Sequence, residues 1–275
     1  MTNKHSSISF SKNNKIANLS KHMFGTNLEH IGDAIYRNGI WAEVIKNRKF
    51  CGPDKLVWNN GLEHDHLDFG IVQPWNGFNA SAKHVMYAHS NSEYITRGKE
   101  LISRYGSGKQ SQQITIREKS SISRGIQQKI FLVNPKDEYN FSIITKGESQ
   151  KIFIQIGEVK FSFFAKKKWY TFRKKIKFKK YNSNKKISIS IQSGNIYIAN
   201  CSLMPKNTIF GFRKDITEMI KEWTPSYIRW PGGNFLSGYN WQNGIGSKDS
   251  RLPYYDHAWY QWEDNDVGTD EFMKW

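Results

Sequence analysis

The sequence predicts a mixed fold, in which an all-β sandwich is inserted into a chain that otherwise alternates helix and strand. Residues 68–205 contain short alternating runs of apolar and polar residues, separated by turn formers such as 134–137 and 193–195. Strands with turns about every 8–12 residues are typical of a β-sandwich or barrel, and we expect a jelly roll. Residues 206–275 change to helical spacing, followed by a short strand and a glycine-rich loop, which is one unit of an α/β protein.

The predicted elements follow from these periods. Within the sandwich we predict strands at 113–117, 129–133, 139–144, 151–156, 186–191 and 195–199. Apolar residues at helical spacing predict a helix over 212–223 that Pro225 ends, and a strand over 226–230. Thr269, placed before two acidic residues, predicts the start of a last helix.

The formal net charge of +17 raises nucleic-acid binding as a hypothesis. Eleven Lys or Arg residues and no acid lie between Lys166 and Lys186. Residues 175–179 alternate lysine with apolar residues, which is the period of a strand with one solvated face. The sequence contains no RNA-binding signature, helix-turn-helix or zinc-finger spacing, so we favour a solvated sheet surface and expect no nucleic-acid partner.

Composition sets further expectations. Ten Trp indicate a folded chain, and their rings suit either core packing or stacking on sugars. Cys51 and Cys201 are far apart, outside any metal-like cluster, and give no reason to expect a disulfide. We expect no cofactor or metal, no signal peptide, no membrane span and a cytoplasmic location.

Two passages carry candidate site residues. Glu29 and His30 follow an apolar run, where they form either a polar site at a strand end or an ordinary surface turn. Arg229 ends the predicted strand 226–230, and a strand end is where α/β folds place ligands. Gly232 and Gly233 would let the backbone approach a ligand closely, and Asn234 can donate to and accept from a sugar hydroxyl. The alternative is a tight turn in which Arg229 pairs with a structural carboxylate.

These passages resemble one family, the α-L-arabinofuranosidases of glycoside hydrolase family 51. The resemblance rests on motifs that keep the order and approximate spacing of the family: 25–30, 39–43, 47–50, 229–235, 238–241, 244–246 and 267–272. Asn243 departs from the pattern, which more often has an acid before the glycine. Residues 68–205 are similar in place to a carbohydrate-binding-like β-sandwich inserted in one subgroup.

The resemblance implies a fold, a chemistry and a set of site residues. It implies a partial (β/α)₈ barrel, formed by residues 1–67 and 206–275, and retaining hydrolysis of terminal arabinofuranosyl groups from hemicellulose-type glycans. Carried over by position, Glu29 is a substrate-hydroxyl contact, Arg229 and Asn234 form the floor of the arabinose subsite, and Trp259 lines the cleft. The implied partner is an arabinose-containing oligo- or polysaccharide, and the full-length form is expected to allow a homo-oligomer.

The two catalytic glutamates of the family have no counterpart in this sequence. The acid/base follows an Asn in the family, and no Asn-Glu pair occurs here. A complete barrel typically takes about 250 residues. We therefore expect an N-terminal fragment that is inactive alone. The alternative function is that of a non-catalytic carbohydrate-binding protein, which rests on the sandwich.

Overall fold

The computed structural model describes residues 7–9, 17–52, 70–81, 83–91, 102–103, 106–107 and 110–275. In chain order its strands and α-helices are β1 (Thr26–Asn27), α1 (Gly32–Ile35), β2 (Asn76–Phe78), β3 (Val85–Asn91), β4 (Ile102–Ser103), β5 (Gly106–Ser107), β6 (Gln110–Ile116), β7 (Arg124–Phe131), β8 (Glu138–Gly147), β9 (Lys151–Ile156), β10 (Val159–Phe164), β11 (Tyr170–Lys177), β12 (Asn184–Ile191), β13 (Gly194–Pro205), β14 (Thr208–Ile209), β15 (Phe212–Arg213), α2 (Lys214–Trp223), β16 (Ile228–Arg229), β17 (Tyr254–Asp256), β18 (Gln261–Glu263) and α3 (Thr269–Lys274).

Two five-stranded antiparallel sheets form a β-sandwich. Sheet I has the strand order β10-β9-β12-β7-β2, and sheet II has the order β11-β8-β13-β6-β3. Successive side chains of a strand point to opposite faces, so every second residue enters the space between the sheets. In β12, for example, Ile187, Ile189 and Ile191 are completely buried in the shared core. The predicted all-β sandwich is therefore confirmed.

The strand predictions succeed where the alternation is strict. Each of the six predicted strands coincides with part of an observed one, and the lysine-rich run 175–179 overlaps β11, with Ile176 and Phe178 buried. Strands β2, β3 and β10 were not predicted. In β10 the outward positions include Phe164, which is 62% exposed and hides the alternation.

Residues outside the predicted sandwich contribute to its core. Val44, Ile45 and Phe50 belong to the same buried cluster as the strands of both sheets. Phe50 stacks on Trp75 with ring centroids 5.2 Å apart. The predicted boundary at residues 67–68 lies outside the described residues, while β13 ends at Pro205, the last residue of the predicted sandwich.

A smaller unit brings residues 26–41 together with residues from the last quarter of the chain. Strands β1 and β16 pair in parallel, and a second core packs Ile35, Ile40 and Trp41 against Phe212, Val267 and Phe272. Helix α2 begins at Lys214, two residues later than predicted, because Phe212 and Arg213 pair with β14. The N-cap of α3 is Gly268, not Thr269. One parallel strand pair does not show a (β/α)₈ barrel, which stays a prediction.

Three further observations concern the described residues alone. Cys51 and Cys201 are both free and buried. No helix in this part of the chain combines the length and the apolar character needed to cross a membrane. No group of three or more His, Cys, Asp or Glu in the described ranges is arranged to hold a metal ion.

Candidate functional site

The parallel pair β1–β16 brings the two candidate passages side by side. Asn27 is the register partner of Arg229. Beyond the strands the backbones stay connected, because the N–H of Leu28 donates to the carbonyl of Arg229 at 2.8 Å and that of His30 donates to Pro231 at 2.9 Å. The carboxyl ends of the two strands therefore open into neighbouring loops, as the ends of parallel strands do.

Glu29 is held at this strand end by two donors. The backbone N–H of Phe235 and the indole N–H of Trp259 each donate to its Oε1 at 3.0 Å. Oε2 lies against Gly233 and accepts no hydrogen bond from the residues that the structure describes. Glu29 is half-buried, and the two donors hold its carboxylate in one orientation. Within the described part of the chain, Oε2 keeps its capacity to accept a hydrogen bond.

The two glycines accommodate Glu29. A Cβ at Gly232 would stand 2.4 Å from Cα of Glu29, and one at Gly233 would stand 2.6 Å from Oε2. Gly232 also has a φ of +88°, in the left-handed region that other residues rarely adopt. The sequence predicted that these glycines allow approach to a ligand. In the structure, the backbone at these two glycines instead packs closely against Glu29, the candidate binding residue.

Arg229 is the last residue of β16, and Asn234 begins the short 3₁₀ helix Asn234–Ser237 in the loop that follows it. Both are exposed, and Oδ1 of Asn234 accepts a hydrogen bond from the Ser237 hydroxyl at 3.5 Å. Among the described residues, no ion pair within 4.0 Å joins Arg229 to Glu29 or to another carboxylate. The alternative in which Arg229 pairs with a structural carboxylate finds no support there.

His30 is part of the scaffold beneath the site. Its side chain is 1% exposed, stacks on Phe235 at 4.7 Å, and its Nδ1 lies 3.1 Å from Oε2 of Glu263. Glu263 also accepts hydrogen bonds from the Tyr36 hydroxyl and, at 2.8 Å, from the backbone N–H of Asn265. Neighbouring Glu29 and His30 thus point to different environments, one half-exposed and one buried.

A buried ionic cluster connects these loops to the sandwich. The guanidinium of Arg48, 1% exposed, contacts both carboxylate oxygens of Asp266 and donates to Asn200 at 2.7 Å and Asp249 at 2.8 Å. Burial opposes ionisation of Asp266, but Arg48 and Lys49 outweigh it and hold its pKa well below the ordinary value. Sequence reasoning missed these contacts, because no spacing signals a pairing of residues 218 positions apart.

A separate cavity of about 460 Å³ has none of the four predicted site residues in its lining. Its walls include Glu43, Cys51, Trp262 and Asp264. Desolvation by burial and the charge of Asp266 raise the pKa of Asp264 to about 7. This cavity lies beside the ionic cluster and is distinct from the surroundings of Glu29.

Comparison with known proteins concerns the end of the chain that carries Arg229, Asn234 and Trp259. Residues 219–275 match the family model described as the alpha-L-arabinofuranosidase 1 domain. The intracellular exo-alpha-(1->5)-L-arabinofuranosidase 1 of Bacillus subtilis is 54% identical over 65 residues, which cover 24% of this chain and 13% of that protein. The resemblance to α-L-arabinofuranosidases is confirmed.

The arabinofuranosidase match has a limited extent. The probable alpha-L-arabinofuranosidase C of Aspergillus clavatus is 46% identical over 30% of this chain and 16% of its own length. The chain thus covers about one sixth or less of these relatives.

Among solved structures, TmCBM61 in complex with beta-1,4-galactotriose shares 16% identity and a TM-score of 0.36, over 50% of this chain and 92% of that one.

Proposed function

We propose that this chain forms the arabinose-binding part of a retaining α-L-arabinofuranosidase of glycoside hydrolase family 51. The complete enzyme would release terminal arabinofuranosyl groups from hemicellulose-type glycans in the cytoplasm. In this proposal residues 1–67 and 206–275 belong to a (β/α)₈ barrel that carries residues 68–205 as a jelly-roll insert. The arabinofuranosidase match over residues 219–275 supports the assignment.

One observation carries the proposal: the carboxylate of Glu29 is positioned by Phe235 and Trp259, two groups from the arabinofuranosidase-like segment. Its Oε2 would accept a hydrogen bond from a sugar hydroxyl, which is a charge-assisted contact. Arg229 and Asn234, which are both exposed, would supply hydrogen-bond donors to the ring oxygen and the hydroxyls of the sugar. The exposed face of Trp259, 39% accessible, would stack on the C–H face of the sugar.

Hydrolysis is proposed for the complete enzyme only. Retaining glycosidases need two carboxyl groups about 5–5.5 Å apart, one as acid/base and one as nucleophile. The family resemblance assigns neither role to a residue of this sequence, and Glu29 would serve in binding. The chain alone would therefore bind an arabinofuranoside without cleaving it.

A second candidate function is carbohydrate binding without a catalytic role in any complex. The observation that favours it is a cavity of about 340 Å³ on sheet I, lined by residues that include Ser188, Ser190 and Phe153, which offers a ligand site independent of Glu29. The two candidates differ in where a carbohydrate binds: at the strand ends or on the sandwich.

Calorimetric titration of the full chain with an arabino-oligosaccharide tests the proposal, together with an assay on a chromogenic arabinofuranoside. We expect binding without turnover. Replacing Glu29 by Gln or Arg229 by Ala should weaken binding by about 1–3 kcal/mol, as expected for lost charge-assisted hydrogen bonds. Arg173→Ala, which removes an exposed arginine of β11, is the matched control.

Three results would contradict the proposal. Loss of binding in the control as well would show that the effect of the substitutions is not specific to the strand-end site. Unchanged affinity in both Glu29 and Arg229 variants would place the sugar elsewhere. Hydrolysis by the chain alone would show that it contains catalytic carboxylates after all.

A further inference from the structure

The outer face of sheet I carries a groove that the strand-end site does not use. Along β12, the outward residues Ser190, Ser188, Lys186 and Asn184 form the central row. Their neighbours on β7 are Gly125, Gln127, Lys129 and Phe131 in the same order. At one end of these rows, the small residues Gly125, Ser188 and Ser190 form a strip that is bordered on either side by larger side chains.

The first half of the groove has the chemistry of a sugar site. Ser188 and Ser190, both nearly buried, line a cavity of about 340 Å³. Its lining also includes Phe78, Phe153 and the exposed Lys160. Hydroxyls donate and accept hydrogen bonds, while flat aromatic faces pack on apolar C–H groups. Gln155, which also lines this cavity, is anchored through its NH₂ on the carbonyl of Gly157 at 3.0 Å.

The second half is basic. A second cavity of about 640 Å³ lies further along β12, at Lys186 and Asn184, and shares no lining residue with the first. Lys129, Lys180 and Lys186 contribute to its lining. Lys129 and Lys186 are exposed and directly opposite each other in the β7–β12 register. Like charges in opposite positions repel across strands, and within the described residues neither lysine has an ion-pair partner within 4.0 Å.

The one carboxylate in this lining is already bound. Glu158 Oε2 accepts from Lys185 at 3.0 Å, and its Oε1 accepts from the backbone N–H groups of Lys179 and Lys180 at 2.9 Å each. Its charge is therefore largely compensated by these donors. Lys129 and Lys186 keep an uncompensated positive field at the open end of the groove.

We propose that this groove binds an acidic glycan, a chain of sugars that includes uronic acid units. A sugar ring would occupy the hydroxyl-lined half beside Phe78 and Phe153, and the carboxylate of a neighbouring unit would bind between Lys129 and Lys186. Both cavities fall in the range of about 300–1,000 Å³ that ligand sites occupy. Serine hydroxyls and aromatic residues lie beside Lys160 in the first cavity, and the Lys129–Lys186 pair lies in the second, an arrangement that matches a chain of sugar rings carrying carboxylates.

The groove is separate from the Glu29 site. Glu29 is held by Phe235 and Trp259, and none of these three residues lines either cavity of the groove. Residues 43–48 contact the sandwich through Ser202 and Asn200 of β13 and through the buried Gln128 of β7, not through the outward row of β12. Binding there does not depend on the function proposed for Glu29.

Calorimetric titration of the full chain with tetragalacturonate tests the inference, with the fully methyl-esterified tetramer as the uncharged ligand. We expect the acidic tetramer to bind at least about tenfold more tightly at low salt, and this preference to shrink as salt rises. The double variant K129A/K186A should lose that preference. F153A should weaken the binding of both ligands, because it removes part of the groove floor.

The matched control is K175A/K177A, which removes two exposed lysines from the outer face of sheet II. It makes the same change in net charge and should alter affinity less than about twofold, because screened surface charges at a distance contribute little. Circular dichroism should show an unchanged fold for both double variants.

Four outcomes would overturn the inference. These are no binding of the acidic tetramer at low salt, equal affinity for the esterified tetramer, an equal loss in K175A/K177A, and tighter binding of a single-stranded DNA oligonucleotide that K129A/K186A abolishes. The last result would assign the groove to nucleic acid.

Discussion

The indole N–H of Trp259 donates a hydrogen bond of 3.0 Å to Oε1 of Glu29, although 230 positions separate the two residues. The contact fixes a half-buried carboxylate at the end of β1 with a group from the loop between β17 and β18. Since the N–H of Phe235 donates to the same oxygen, one acidic side chain links three separate segments of the chain.

The first prediction concerns this link. Trp259→Phe keeps an aromatic ring, though a smaller one, and removes the donor, so the free energy of unfolding should fall by about 1 kcal/mol, the net contribution of a typical hydrogen bond. Urea denaturation measures the difference. Trp223→Phe, at a Trp that is 65% exposed on α2, is the control and should change stability by less than about 0.5 kcal/mol. Equal effects of the two substitutions would mean that Trp259 does not hold Glu29.

The second prediction concerns the glycine that faces Glu29. Gly233→Ala should destabilise the fold by about 1 kcal/mol, because the new methyl group would overlap Oε2 of Glu29 and displace its carboxylate from the hydrogen bonds with Phe235 and Trp259. Gly238→Ala is the control, since a Cβ at Gly238 has no neighbouring atom within 4 Å. Thermal unfolding of both variants measures the difference, and a stable Gly233→Ala variant would show that the carboxylate shifts without cost.

The third prediction concerns the buried ionic cluster. Arg48→Ala leaves Asp266 buried without its main partner and should cost about 3–5 kcal/mol. Lys214→Ala, which breaks an exposed i,i+4 pair with Glu218 at 3.6 Å, should cost less than about 0.5 kcal/mol. Urea denaturation at neutral pH gives both values. Similar losses would mean that the cluster is solvated and not a buried anchor.

The fourth prediction concerns pH. The pKa of Asp264 is raised to about 7 in the fold, by burial first and by Asp266 second, whereas an unfolded Asp titrates near about 3.9. The unfolded state therefore loses its proton first, and ionisation of Asp264 lowers stability as pH rises from about 4 to 7. Asp266 has the opposite sign: its depressed pKa adds stability that is lost as pH falls below about 4.

Asp264→Asn separates these contributions, because it removes the titrating group and leaves Asp266 in place. The variant should be more stable than the parent at pH 8 and should show a weaker pH dependence between pH 5 and 7. Unfolding free energies from urea titrations at pH 5, 6, 7 and 8 measure this. Parallel curves for the two proteins would show that Asp264 is already ionised in the fold at pH 5.

The sandwich could be predicted from sequence because its signal is local. Ile187, Ile189 and Ile191 alternate with Ser188 and Ser190, and this period of two decides which side chains enter the apolar core between the sheets. Strand β10 was missed because aromatic residues occupy both of its faces, so that Phe163 in the core and Phe164 outside look alike in sequence. The assignment of strands to two sheets depends on contacts between distant residues, which periodicity does not contain.

The sequence proposed members for the candidate site but not their contacts. Glu29, Arg229 and Asn234 were singled out at predicted strand ends and Trp259 through the family resemblance, and the structure places Glu29 in contact with Trp259. That Gly233 accommodates Glu29, and that His30 is buried on Glu263, required the parallel pairing of β1 with β16. Whether these residues bind arabinose remains a prediction for the titrations proposed above.

The stacking of Phe50 on Trp75 has a consequence for how this protein can change in evolution. A module that carries its whole interior within its own strands can be lost, duplicated or exchanged between genes as a unit. Here Val44, Ile45 and Phe50, which precede the predicted sandwich 68–205 in sequence, contribute to its interior. Exchange of residues 68–205 alone would replace the neighbours of these side chains, so residues 44–50 and the sandwich are expected to diverge together.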